Sequence, residues 1–350
     1  MLDPTKTASK AVYKRPGKLL SLCADLPRKR LYAGSTDYGI HVFDLQAEKK
    51  EPVAAFTKHE NYVSALAFID REPAAWLISG SYDRRLLWWD VESAAILREV
   101  EAHAGWVRDL VVIPGGRLVA SCGDDMLVKL WDVESGQLVR TFAGHALRTP
   151  QDHVTALYVL AASPDGKLLA SGDRIGEVRV WEIETGKLAA TFQVPVLYTY
   201  DDRQRKRSIG GIRSLCFSPD GNQLAVGGIG QINNVDGLQG PATLEVWDWR
   251  SPKPLFVSGA QKHQALINEL HFWPDGSWLV GVGGGGDNGL LCFWKPEPPT
   301  EEAKKEKKDD PVPLHKVKAD GHIHRLVLNP DANEIYTAGH EKLEVWSVAG

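Results

Sequence analysis

Short stretches of alternating apolar and polar residues recur along the whole chain. VSALAF, LYVLAA and SLCFSP each alternate with a period of two, the period of a half-buried β-strand. A turn follows such stretches, as at Pro164, Asp165 and Gly166, at Pro219, Asp220 and Gly221, and at Pro274, Asp275 and Gly276. Proline sets φ at the second turn position, aspartate bonds its own backbone, and glycine takes positive φ. A second strand rich in Leu, Ala and Val comes next, then a third that ends on an aromatic residue. A looser fourth strand leads onward, as in QLVRTFAGH. We label these strands a to d; the pattern predicts an all-β chain.

The unit recurs in register. Seven segments share it: LYAGSTDYGIHVFDL, LISGSYDRRLLWWDV, LVASCGDDMLVKLWDV, LLASGDRIGEVRVWEI, LAVGG…TLEVWDW, LVGVGGGGDNGLLCFWKP and IYTAGHEKLEVWSV. Their aromatic anchors are Phe43, Trp89, Trp131, Trp181, Trp247, Trp294 and Trp346, spaced by 46, 42, 50, 66, 47 and 52 residues. The length of 350 residues, which would otherwise fit two domains, is therefore divided by a repeat.

A period near 40–45 residues with W-D endings resembles the WD-repeat β-propellers, with repeats two and three the best matches. The resemblance covers nearly the whole chain. It implies a single seven-bladed β-propeller of four-stranded antiparallel blades. The blades would span roughly 16–57, 58–101, 102–143, 144–194, 195–258, 259–318 and 319–350, plus a strand from 6–15. Only four residues follow Trp346, so the last repeat lacks room for strand d. The segment 8–14, which precedes strand a at 19–24, is expected to supply it. That pairing would close the fold and remove exposed strand edges.

The resemblance also implies a buried tetrad in the best-matched repeats: His59, Ser79, Asp83 and Trp89 in repeat two, and His103, Ser121, Asp125 and Trp131 in repeat three. A buried indole N–H needs an acceptor, so these residues are read as structural rather than as a catalytic His–Asp pair. The network weakens elsewhere. Repeat one has Asp37 but Phe43 as its anchor, repeat four has Ile175 in the acid's position, and repeats five to seven lack the Asp, with Asn288 replacing it in repeat six.

Insertions fall around 144–152, 195–210, 229–242 and 281–289, all expected on the top rim. The second carries Arg203, Arg205, Lys206 and Arg207 beside Tyr198 and Tyr200, diluted by Asp201 and Asp202. Contact with phosphate or stacked bases is possible for such a cluster, as are an acidic protein surface and plain solvation. The glycine-rich 281–289 lacks the lysine and the helix start that a phosphate cradle needs. On the opposite face, 296–312 is flanked by prolines and mixes Lys with acids, and is expected to be a solvated, mobile excursion.

Aligning the starts of strand a gives one residue per repeat at the inner top edge: Lys18, Tyr62, Trp106, His153, Gly211, Leu266 and His322. Tyr82, in the b–c turn, is expected close by. Exposed Trp, Tyr and Arg are the types that anchor partners. The candidate docking residues are Tyr62, Tyr82, Arg84, Trp106, Arg108, His153 and His322, with Arg203, Arg205 and Arg207 on the rim.

Composition narrows the function. The chain is 43% hydrophobic and 25% charged with a net charge of -4, which excludes wholesale disorder and disfavours a dedicated nucleic-acid binder. No apolar run is long enough to span a bilayer, and MLDPTKTASKAVYKRP has no signal-peptide core, so a cytoplasmic home is expected. Cys23, Cys122, Cys216 and Cys292 form no C-x-x-C pair and are read as buried free thiols; in a secreted protein they could form disulfides. No nucleophile elbow, metal spacing or cofactor fingerprint is present, so no metal, no cofactor and no enzyme activity are expected. The resulting expectation is a non-enzymatic scaffold, monomeric as an isolated propeller, binding a protein or peptide on its top face. Two alternatives stand behind it. One is recognition of nucleic acid or another polyanion through 203–207. The other is a hydrolase-type propeller with a channel-mouth site, for which His153 and His322 lack convergent carboxylates.

Overall fold

The computed structural model describes residues 3–72, 74–202, 206–232, 240–251, 253–258, 265–285, 288–297 and 315–348. Among these, regular structure is β-strand, apart from three-residue 3₁₀ turns at Pro4–Lys6, Pro195–Leu197 and Pro330–Ala332.

The blade count corrects the expectation of seven four-stranded blades. The structure has six blades: five sheets of four strands and one of six. The physical reason is strand continuity. Ala8–Asp25 runs unbroken for 18 residues and pairs with two neighbours in succession. Its first part pairs antiparallel with Glu334–Ser347, from Ala8 opposite Ser347 to Lys18 opposite His340. Its second part pairs with Arg30–Ser35, from Leu19 opposite Ser35 to Asp25 opposite Arg30. A register shift between Lys14 and Lys18, around Gly17 at φ +93, turns the strand without ending it. Strands b and c of the last repeat likewise merge into the 14-residue Glu334–Ser347. First and last repeats therefore share one sheet.

The chain forms two compact units, residues 1–144 with 324–350, and residues 145–323. The first unit holds the shared sheet and the sheets of repeats two and three. Repeat two is Val63–Ile69, Trp76–Ser81, Arg85–Asp90 and Ile96–Glu101; repeat three is Val107–Val112, Leu118–Gly123, Val128–Asp132 and Leu138–Phe142. Strands a to c are mostly buried, while strand d faces solvent, as the exposed Ile96 and Leu97 show. Sheets stack through their apolar faces: Tyr32, Phe56, Leu77 and Trp89 form one core cluster, and Trp88, Val107 and Trp131 another. Trp88 is fully buried and donates its indole N–H to Val133 O at 3.0 Å.

The second unit holds the sheets of repeats four to six. Its main cluster includes Phe192, stacked on Trp247 with centroids 4.2 Å apart. The insertion 195–210, expected as a loop, contains a two-stranded hairpin, Tyr198–Asp201 with Arg207–Gly210. Arg203, Arg205, the side chain of Arg207 and most of 296–312 lie outside the described residues.

All four cysteines are buried and free. Burial pushes each thiol up, Cys292 to about 12, so none is poised as a thiolate. Among the described residues, no helix is long and apolar enough to cross a membrane.

Candidate functional site

The His–Asp pairs of repeats two and three lie inside closed hydrogen-bond networks. In repeat two, His59 Nδ1 meets Asp83 at 2.7 Å and Nε2 meets Ser79 Oγ at 2.7 Å, and Trp89 donates its indole N–H to the same hydroxyl at 2.8 Å. Repeat three repeats the network, with His103 at 2.9 Å from Asp125 and 2.7 Å from Ser121, and Trp131 donating to Ser121 at 2.9 Å. Desolvation works against the charge of Asp83 and Asp125. The hydrogen bond and charge of the facing imidazole, together with backbone N–H groups, outweigh it and hold both carboxyls below their usual range. The histidine and serine are buried and every nitrogen is occupied, so the network braces the b–c turn.

Repeat four departs from expectation. Ile175 stands where the acid was sought, yet the tetrad is complete: His145 Nδ1 meets Asp173 at 2.9 Å, Nε2 meets Ser171 at 2.8 Å, and Trp181 donates to Ser171 at 3.0 Å. The acid has moved two residues toward strand b. Glu177 adds a second carboxylate 3.4 Å from the same nitrogen. Burial lowers the imidazole pKa, but the bonds to Asp173 and Glu177 reverse this and raise it. These three side chains are also the one set among the described residues whose ligand atoms cluster closely enough for a metal. Both nitrogens of His145 are already used, and Arg179 bonds Glu177 at 3.0 Å, so the cluster is a charged tetrad. His145 escaped the sequence because an insertion separates it from strand a; the Gly144–His145 pair was the available signal.

The later repeats satisfy their indoles differently. Trp247 donates to Glu245 at 3.0 Å and Trp346 to Thr337 at 2.9 Å. Among the described residues the buried indole nitrogen of Trp294 has no hydrogen-bond partner; Gly281 occupies the serine position beside it.

The surface site lies in the first unit. Tyr82 and Trp106 stack at 4.3 Å between centroids and 6° between planes. Tyr62 continues the row at 5.7 Å from Tyr82, and Tyr38 at 6.0 Å from Tyr62. The rings come from the b–c turns and strand-a starts of three successive repeats. One backbone bond sets the two turn types side by side in each: Thr36 N–H to Lys18 O, Tyr82 N–H to Tyr62 O, and Asp124 N–H to Trp106 O. Arg108 lies over both ends of the stack, 5.0 Å from the Tyr82 centroid and 4.9 Å from that of Trp106. It is fixed there by Asp124, at 2.6 and 2.9 Å, and donates to Tyr82 Oη at 2.8 Å. Trp106 and Tyr38 are each 44% exposed and Tyr62 is 39% exposed, so the row is a surface and not a core.

Tyr38 was missed by the sequence. It occupies the turn slot that Arg84 fills in repeat two, and both adopt left-handed backbone, φ +75 and +76. A bulky aromatic at a slot that favours glycine was its signal. Arg84 is exposed at its own turn.

Two predicted residues belong to the second unit. His153 stacks on Tyr200 at 5.7 Å. The strand-a start in repeat four is Ala156, which accepts the N–H of Arg174, so His153 lies three residues before the slot assigned to it. His322 accepts from Asn268 Nδ2 at 2.5 Å.

The profile of the family described as "WD domain, G-beta repeat" matches residues 50–90, 95–132, 136–182, 205–231 and 253–295, more than half of the chain. The chain belongs to the WD-repeat family. Among curated relatives it is similar to the nuclear distribution protein PAC1 of Arthroderma otae, 34% identical over 137 residues, or 37% of this chain and 28% of that protein. It is similar to a p21-activated protein kinase-interacting protein 1-like protein of Gallus gallus, 29% identical over 109 residues, or 31% of this chain and 28% of that one. The small ribosomal subunit protein RACK1y of Oryza sativa subsp. japonica is 33% identical over 81 residues, or 23% of this chain and 24% of that one. Each similarity spans about a quarter of the relative's length. As a WD-repeat protein the chain carries the architecture of an interaction scaffold, and the histidines and aspartates of its three tetrads brace repeats two to four.

Proposed function

We propose that this protein is a non-enzymatic scaffold that docks a protein or peptide partner on the surface formed by Tyr38, Tyr62, Tyr82 and Trp106. The observation that carries this is the row itself: four aromatic rings in sequence, three of them more than one third exposed. Isolated exposed apolar residues are ordinary, but a contiguous aromatic surface marks a binding site. Tyrosine and tryptophan give large contact area for little lost side-chain entropy, and here stacking has already fixed them. Arg108 occupies the cation site over the Tyr82–Trp106 pair, and Asp124 neutralises it. The surface is thus pre-organised in the free protein, which lowers the cost of association. The name of the chicken relative, a p21-activated protein kinase-interacting protein 1-like protein, fits this reading.

The test is affinity capture on immobilised protein, quantified by mass spectrometry, with wild type beside Tyr82→Ala/Trp106→Ala. Specific partners should be lost from the double variant while its melting curve keeps one cooperative transition. Undiminished capture by the double variant would refute this surface.

A further inference from the structure

In the second unit, two arginines close on one tyrosine. Arg174 donates Nε–H to Tyr158 Oη at 2.6 Å and Nη1–H to Val154 O at 3.1 Å. Arg213 lies over the same ring, Cζ 4.0 Å from its centroid, and donates Nη2–H to Gly210 O at 3.1 Å. The Cζ of Arg174 is 5.4 Å from that centroid. Both side chains are half-buried. Neither has a carboxylate partner among the described residues, and the buried Nε of Arg213 has no acceptor.

Repeat three shows what is missing. Strand pairing puts Gly123 opposite Val107, Asp173 opposite Leu157, and Gly228 opposite Ile212. Arg108, Tyr158 and Arg213 thus share one slot, and Asp124, Arg174 and Ile229 share the other. In repeat three the pair is a guanidinium held by a carboxylate at 2.6 and 2.9 Å. In repeat five the carboxylate is replaced by isoleucine, and in repeat four by a second arginine. Two like charges crowd a partly desolvated ring with no carboxylate among the described residues to balance them, an arrangement that opposes folding. Breaches of local rules of this kind concentrate at functional sites.

The approach is also built into the backbone. Gly210 and Gly211 adopt φ +97 and +95. A Cβ on Gly211 would stand 2.7 Å from Arg174 Cα and 3.0 Å from Tyr158 Cε2. A side chain at Gly211 would push the two repeats apart and separate the guanidiniums.

We propose that Arg174 and Arg213 form a binding site for an oxyanion, a carboxylate or phosphate group carried by a ligand. The planar guanidinium fork matches both groups, and charge-assisted bonds of this kind are the strong ones. Arg174 Nη2 and Arg213 Nη1 donate to no described residue, and they are the atoms that would hold the anion. Tyr158 positions both. This site stands on its own residues and does not depend on the aromatic row of the other unit.

The test is isothermal titration of the whole chain with inorganic phosphate and, separately, with succinate, chloride keeping ionic strength constant. The proposal expects one saturable site for at least one anion, weakened tenfold or more by Arg174→Gln and by Arg213→Gln. Arg148→Gln, which removes a charge at an arginine paired with Asp152, should leave it unchanged. Binding of phosphate alone would assign a phosphate ligand, and binding of succinate alone a carboxylate. Melting in chloride buffer checks the fold of each variant. Should Arg213→Gln unfold, Arg213→Lys replaces it and should still weaken binding severalfold, because ammonium lacks the fork. No saturable binding of either anion, or equal binding by wild type and the Arg174 and Arg213 variants, overturns the proposal.

Discussion

Glu245 Oε2 accepts the indole N–H of Trp247 at 3.0 Å, the bond that Ser79, Ser121 and Ser171 provide to Trp89, Trp131 and Trp181. Val226 stands in the serine position of repeat five, so a buried carboxyl one strand over does the serine's work. Burial pushes Glu245 up to about 7, against a partial lowering by the indole bond. A folded pKa above the unfolded value of 4.5 means that ionisation opposes folding. The penalty is absent below pH 4.5, grows as pH rises, and is complete above about 7. Glu245→Gln keeps an acceptor for Trp247 and removes the charge. It should raise stability at pH 8 by at most roughly 3 kcal/mol and change little at pH 5. Urea unfolding at both pH values checks this; equal shifts at the two would contradict it.

The tetrad of repeat four makes an opposite prediction. His145 is raised in the fold, so the stability it contributes is full below the unfolded pKa of 6.5 and is lost as pH rises through the folded value. A two-dimensional NMR titration should place His145 above 6.5 and show it lowered in Glu177→Gln. Asp173→Asn, which leaves the buried imidazole charge only the longer contact to Glu177, should cost up to about 3 kcal/mol. Ile175→Asn should cost much less.

The shared sheet predicts a dependence on the N-terminal strand. Tyr13 is fully buried and meets Phe43 edge-on at 5.8 Å. Tyr13→Ala should cost on the order of 3 kcal/mol. Removing residues 1–14 should cost more, because it bares the edge of Glu334–Ser347 opposite Ala8, Tyr13 and their neighbours. Thermal melting of both variants decides it, and a melting curve unchanged by the deletion would rule the dependence out.

Much of this was legible in the chain. The anchors from Trp89 to Trp346 and the Pro–Asp–Gly turns follow from spacing and residue type, and the two tetrads of repeats two and three from the resemblance to the WD repeat. So did Trp106 as a surface residue, since the strand-a slot is fixed by its position after His103. The blade count was not legible. Whether Pro16 and Gly17 end a strand or only bend it depends on pairing with Glu334–Ser347, more than 300 residues away in sequence. The acid of repeat four was hidden because Asp173 reaches His145 from a different turn position than Asp83 reaches His59. His153 was misplaced because insertion length blurs register. The partnering of Arg108 by Asp124 depends on a b–c turn whose side-chain directions only the fold sets.

The docking surface is tested most directly by the affinity of purified partner for Trp106→Ala, measured beside wild type and a control at another aromatic residue, Trp278→Ala. Trp106 sits at the stacked end of the row and is 44% exposed. Its loss should weaken binding about 30-fold or more, as truncating an interface anchor does, with stability lowered by only about 1 kcal/mol. Trp278→Ala should bind as wild type does. Binding within twofold of wild type for Trp106→Ala, with the fold intact, would contradict the assignment of this surface.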